Sequence, residues 1–221
     1  MAITWLLFCG AAPAMPTMSI GPTSGAPGAI ASVPVSVTID TNVVSFQFDL
    51  LYATNYLTPG APVGGNALAD QQLASAVVSP GVFRVLGFSF SNSPITNGVL
   101  AYVPFAIAGN APDHDEGLVL SNALLVSAQA SVVPFTLNSN AILSITVPPH
   151  FSAIYPTNAG ARHLELTGTT GRVYVVQSAT NLVSPQWIPL TTNTDVTGVL
   201  RFDDVSAGNF PHRFYRARFV R

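Results

Sequence analysis

Two long stretches of the chain alternate strictly between apolar and polar residues. In "SVPVSVTI" (32–39), Val33, Val35, Val37 and Ile39 share one face; in "SFQFDLLYATNYL" (45–57), Phe46, Phe48, Leu50 and Tyr52 do the same. A period of two is the signature of a strand with one buried side. Pro34 has no N–H to give to a ladder, so the first strand is expected at a sheet edge. In the second, the opposite side carries Ser45, Gln47 and Asp49, followed by Leu51. Further strands are read at "VFRVLGFSF" (82–90), "GVLAYVPFAI" (98–107), "GLVLSNALLVSA" (117–128) and "AILSITV" (141–147), each bounded by turn residues. If Phe83 and Val85 point inward, Arg84, Leu86 and Phe88 point outward. Whether that outward face is open or is covered by the segment 58–81 stays undecided.

Between these strands the pattern weakens. Residues 15–30 are rich in Pro, Gly, Ser and Ala and are expected as a loose lead-in. Residues 58–81 are similar in composition, with a short helical piece expected at "NALADQQLASAV" (66–77). "VPPHFSAIYPTNAGA" (147–161) holds three prolines, and a linker is expected over 148–161. A second set of strands follows at 162–168, 172–180, 187–194, 199–205 and 213–220. Tyr174, Trp187, Phe202, Tyr215 and Phe219 are its candidate core. In "RFYRARFV" (213–220) one face holds Phe214, Arg216 and Arg218, expected in solvent, and the other Tyr215, Ala217 and Phe219, expected to pack. The fold class is therefore all-β: an antiparallel, jelly-roll-like sandwich over 31–147, then a small β-sandwich-like module over 162–221. The module lies near the lower size limit for a self-sufficient core.

Composition narrows the function. Charged residues are 8% of the 221, against about 25% in ordinary soluble domains, and the net charge is −2. Such a chain has no basic field for nucleic acid. Its mean hydropathy of +0.43 fits a sparsely charged surface that meets other macromolecules, and equally fits marginal solubility. The apolar run from Ile3 to about Ala12, followed by Ala12-Pro13-Ala14, reads as a signal segment over 1–14, without the positive residues that usually open one. It is too short to span a membrane. Cys9, the single cysteine, lies inside it, so a chain cleaved after Ala14 has neither a disulfide nor a thiolate metal site.

The region from about Gly28 to Val147 resembles a cohesin domain, the β-sandwich module that docks dockerin-bearing proteins in cellulosome-type assemblies. The resemblance rests on an ordered set of pieces. "GAIASVPVSV" is similar to the family's opening strand and "VVSFQFDLLYATNYL" to its third. "VFRVLGFSF" with "ITNGVLAYVPFAI" is similar to its central pair, and "LVLSNALLVSAQASVVPFTLNSNAILSI" to its closing strands. The resemblance implies a binding face formed by Ser45, Gln47, Asp49 and Leu51 beside Arg84, Leu86 and Phe88. Relatives carry Asn and Asp at the outward positions of the third strand, and Asp-Pro where this chain has Ala53-Thr54. The end of the chain, "SATNLVSPQW" through "FPHRFYRARFV", resembles a short β-module that closes many secreted bacterial proteins.

No catalytic set is legible. The chain has no Gly-x-Ser-x-Gly elbow, no His-Glu-x-x-His and no phosphate-cradling glycine loop. Its two glutamates, Glu116 and Glu165, fall in different expected domains, and its four histidines are scattered. In "NAPDHDEG" (110–117), Asp113, Asp115 and Glu116 are weak candidates for a calcium site against the plainer reading of a solvated acidic turn; no other cofactor is expected. Tyr52, Tyr56 and Tyr102 are the aromatics available for stacking on sugars. The expected function is a non-catalytic binding module, secreted or on a bacterial cell surface. It engages a dockerin-like protein or a polysaccharide in extracellular polysaccharide degradation. A structural or cell-surface adhesion role and a glycoside-active enzyme are the alternatives.

Overall fold

The computed structural model describes residues 15–39, 42–157, 160–194 and 197–220. The signal segment read over 1–14 lies outside them. The described residues form two compact units that divide between Ile145 and Thr146. No helix among them is long and apolar enough to cross a membrane.

The first unit contains β1 (Thr17–Ile20), β2 (Thr23–Gly25), β3 (Ile30–Thr38), β4 (Val43–Leu51), β5 (Leu57–Pro59) and β6 (Val63–Gly64). It continues with β7 (Gln72–Ser79), β8 (Val82–Phe88), β9 (Gly98–Ile107), β10 (His114–Ser127), β11 (Thr136–Asn138) and β12 (Asn140–Ile145). They build two sheets. The first runs β11-β1-β3-β9-β5, with β6 also on β9; the second runs β2-β12-β10-β4-β8-β7. Inward side chains of both sheets join in one core. Val33, Val35 and Val37 of β3 and Leu100, Val103 and Phe105 of β9 meet Phe46, Phe48 and Leu50 of β4, Val85 of β8 and Leu120 of β10. The all-β sandwich that the alternation predicts is the fold that forms.

Four local expectations change. The lead-in 15–30 is not loose, because β1 pairs antiparallel with β3 and parallel with β11, burying Met18 and Ile20. Its alternation spans only four residues, too few to stand out from the surrounding Pro and Gly. The segment 66–77 forms no helix; its second half is β7, held by antiparallel pairing with β8. Pro34 sits in an interior strand, between β1 and β9. It is tolerated because β1 ends at Ile20, opposite Val35, and the Pro34 carbonyl still accepts from Gly21 N at 2.8 Å. A Cβ on Gly21 would stand 2.8 Å from the Pro34 ring, so this close approach needs glycine.

The fourth change concerns the expected linker. The second unit contains β13 (His150–Pro156), β14 (Arg162–Thr167), β15 (Val173–Ala179), β16 (Ile188–Thr194), β17 (Val199–Asp204) and β18 (Phe214–Val220). β13 occupies most of 148–161 and pairs with β14 in a sheet ordered β13-β14-β17; the other sheet is β16-β15-β18. Its core is Leu166, Tyr174, Val176 and Leu200, with Phe151, Leu190, Ala217 and Phe219 packed against it. Trp187, expected in the core, is half-buried and carries the Arg216 guanidinium 4.3 Å above its ring. Arg216 also donates to Gln177 Oε1 at 2.8 Å, so this arginine is engaged by its neighbours, and Arg218 is the exposed one.

Candidate functional site

The outward side of the second sheet carries the residues that the sequence nominates. Register places Asp49 opposite Arg84 and Gln47 opposite Leu86 across β4 and β8, while Ser121 and Leu124 of β10 oppose Asp49 and Gln47 on the other flank. Ser45, Gln47, Asp49, Leu51, Arg84, Leu86 and Phe88 therefore share one surface. Leu51, Leu86 and Phe88 are 37%, 39% and 37% exposed. β7 lies beside β8 in the plane of the sheet; it extends the surface and leaves these residues exposed.

Asp49 differs from the open hydrogen-bonding group suggested by its outward position. It is buried, and Arg84 grips it with both arms of its guanidinium, Nε to Oδ1 at 2.7 Å and Nη2 to Oδ2 at 2.8 Å. Asn122 Nδ2 adds a bond to Oδ2 at 2.9 Å. The Arg84 bonds hold the Asp49 carboxyl below the usual aspartate range, with Asn122 assisting and burial opposing; the same pairing raises Arg84. The centre of the face is thus a fixed, internally neutral ion pair. Bidentate geometry of this kind is both stronger and more directional than a single contact.

Asn122 is a residue that the sequence reading passed over. β10 bulges between Ser121 and Leu124, and Asn122 takes a left-handed backbone, φ 45°. Asparagine tolerates this conformation better than most residues. The bulge also brings the Asn122 carbonyl to Gln47 Nε2 at 3.3 Å. A sequence signal exists: Leu118 and Leu120 are inward at even positions, while the next fully buried residue, Leu125, is odd. An alternation that changes phase requires an extra residue, the definition of a bulge. Val119 and Ile142, 38% and 48% exposed, complete the apolar margin, Val119 directly opposite Leu51. Gly87 sets the opposite side of β8: a Cβ there would lie 2.1 Å from the Phe46 ring, which packs across it.

The other candidates do not assemble. Asp115 and Glu116 are successive residues of β10 and so point to opposite faces; Glu116 bonds His114 Nε2 at 2.7 Å. Asp113 lies in the bend before β10 and the region is strand from His114 on, and no three His, Cys, Asp or Glu converge as a metal-holding group among the described residues. Tyr52 packs on Phe105 at 5.3 Å between ring centres and Tyr56 meets His114 edge-on at 5.5 Å. Tyr102 points away from Phe105 on β9, so the three tyrosines form no common platform.

The family model described as the cohesin domain matches residues 16–147. A cohesin of Clostridium acetobutylicum, solved in solution, is 23% identical with a TM-score of 0.54, over 60% of this chain and 91% of that one. The sixth cohesin of scaffoldin B from Acetivibrio cellulolyticus, solved with a Cel5 dockerin, is 18% identical with a TM-score of 0.53, over 60% and 99%. A non-cellulosomal cohesin from the archaeon Archaeoglobus fulgidus is 22% identical with a TM-score of 0.51, over 60% and 92%. At these identities the likeness is one of fold. No curated protein matches the chain.

Proposed function

The chain belongs to the cohesin family, and from that premise we propose that its first unit is a non-catalytic docking module for a dockerin-bearing protein. The observation that carries this is the outward face of the second sheet, where Leu51, Leu86, Phe88, Val119 and Ile142 stand exposed around the Asp49–Arg84 pair. An apolar surface with a polar centre already neutralised suits association. Burying it removes exposed hydrocarbon from water, and the ion pair enters the interface with its partner in place, which avoids stranding a single charge. Ser45 and Gln47 supply hydrogen-bonding capacity at the margin. Where the family resemblance implies Asn and Asp that bond the partner, this chain presents a carboxylate already paired with Arg84, so its partner is chosen more by apolar shape than by bonds to an acidic strand. Action outside the cell, in polysaccharide degradation, is the setting that family membership suggests.

The test is isothermal titration of the folded chain with a panel of purified dockerins, including those of the organisms above. At least one is expected to bind, and Leu86→Glu together with Phe88→Glu is expected to abolish that binding while leaving the melting temperature close to wild type. A folded wild-type chain that binds none of the panel, or a double variant that still binds, would sink the proposal. The same variants on polysaccharide affinity gels separate direct sugar binding from docking.

A further inference from the structure

We propose that a cleft in the second unit binds an oxyanion, a carboxylate or sulfate group carried on a sugar-sized molecule, with Arg162 as its charged anchor. The cleft has a volume of about 260 Å³ and a mainly polar lining. Arg162, His212 and Arg213 supply its charged and polar side, and Phe210, Pro211 and Phe214 its apolar walls. That volume falls below the ~300–1,000 Å³ of sites for drug-sized ligands, so the fitting occupant is a single ring or its equivalent.

The charge balance follows from what Asp204 is doing. Arg162 lies at the end of β14 directly opposite Asp204 on β17, and that carboxylate is the obvious candidate to neutralise it. Asp204 is already saturated. It accepts from Arg213 Nε, from Ser206 N and Oγ at 3.1 and 2.7 Å, and from the Tyr215 hydroxyl at 3.0 Å. Arg213 is spent on the same carboxylate, its side chain only 10% exposed, with its guanidinium 4.4 Å over the Phe210 ring. Two arginines and one carboxylate therefore meet at this end of the unit, and Arg162 is left exposed with no ion-pair partner among the described residues. His212, also exposed and with no hydrogen-bond or ion-pair partner among the described residues, adds a second donor. A guanidinium presents a planar fork that matches carboxylate and sulfate oxygens in pairs. The apolar walls give the rest of a ring something to lie against. The proposal concerns the second unit alone and stands or falls independently of docking by the first.

Titration of the whole chain with sodium glucuronate, glucose 6-sulfate and glucose at fixed ionic strength, followed by calorimetry or amide NMR, tests it. At least one charged sugar is expected to bind and glucose to fail; which one binds distinguishes carboxylate from sulfate. Arg162→Gln is expected to weaken binding about tenfold or more, the loss of one charge-assisted contact. Arg218→Gln removes an equal charge from an exposed strand position and is expected to leave binding unchanged. Absence of binding by both charged sugars overturns the proposal. So does an Arg162→Gln chain that binds like wild type, or an Arg218→Gln chain that loses as much.

Discussion

In the first unit the side chains most completely withdrawn from water are hydrocarbon: Phe48, Phe105, Leu50, Leu100, Leu120 and their neighbours. In the second, the Asp204 carboxylate is 2% exposed and the largest fully buried side chain is a phenol, Tyr174, whose hydroxyl accepts from Thr169 N at 2.8 Å. The difference follows from size. A module of roughly 75 residues cannot bury as large a fraction of its surface as one nearly twice as long. The smaller unit adds directional polar contacts to a thin core. Arg213, Tyr215 and Ser206, all close in sequence, converge on a carboxylate that ends β17, and so fix the segment leading into β18. Hydrophobic burial tolerates local adjustment, whereas a buried ionic network fails as a whole when one member is removed.

The sharpest way to break this contrast is Asp204→Ala. It leaves the half-buried Arg213 and Tyr215 without their shared acceptor, a loss of about 3–5 kcal/mol, comparable to the whole stability of a small module. Calorimetry should show the second unit's transition abolished while the first unit's is retained; loss of both together would contradict the independence of the two cores. Phe48→Ala should cost the first unit about 3–5 kcal/mol by opening a cavity, read as a drop in its melting temperature with the second unit unchanged. Gly87→Ala should cost about 1–3 kcal/mol, because the new methyl group collides with the Phe46 ring, and Phe46→Leu in the same chain should restore part of it.

Base separates the units more gently, whereas acid weakens both, since Asp49 in the first unit and Asp204 in the second are each held below a free aspartate. Burial alone would raise Asp204, but the bonds from Ser206, Arg213 and Tyr215 outweigh it and hold the folded value below that of a free aspartate. A depressed folded value contributes stability that is present above the unfolded value of about 3.9 and is lost as pH falls towards the folded one. Tyr215 is pushed up to about 12 by burial and by the adjacent Asp204 carboxylate. Its contribution is present below pH ~10 and is lost as pH rises towards 12. The second unit's melting temperature should therefore fall at both ends, and Tyr215→Phe should flatten the alkaline limb. The smallest stability change should come from Leu86→Ser, within about 0.5 kcal/mol because Leu86 is on the open surface. The same substitution should measurably weaken dockerin binding.

The nominated face shows how far sequence reading reaches. Alternation separates Ser45, Gln47, Asp49 and Leu51 from Phe46, Phe48 and Leu50, and the structure keeps that division. It also puts Arg84, Leu86 and Phe88 on the same side. The state of Asp49 was not legible, because it depends on Arg84 thirty-five residues later and Asn122 seventy-three later. Asn122 itself was half-visible, in the phase change between Leu120 and Leu125. β1 and β7 are invisible to alternation for the opposite reason. Their own sequences specify little, and they become strands because a neighbouring strand offers them a ladder. Pro34 sits in an interior strand despite the edge expectation because a missing N–H excludes a bond, not a position, and β1 ends where that bond would have been.

Alternation along the chain is enough to assign the core-facing side chains of the long strands β3 and β4, because a period of two needs no partner; Met18, Ile20 and the residues after the β10 bulge escape it. The sequence by itself also determined the division into a larger and a smaller β region and the family resemblance carried by the larger. What each outward group meets is set only when the strands come together. The tertiary structure pairs Asp49 with Arg84 in the first unit; in the second it spends Arg213 on Asp204 and leaves Arg162, opposite Asp204, with no ion-pair partner among the described residues. Those outcomes rest on register between segments distant in the chain, and a shift of one residue would give every group a different neighbour.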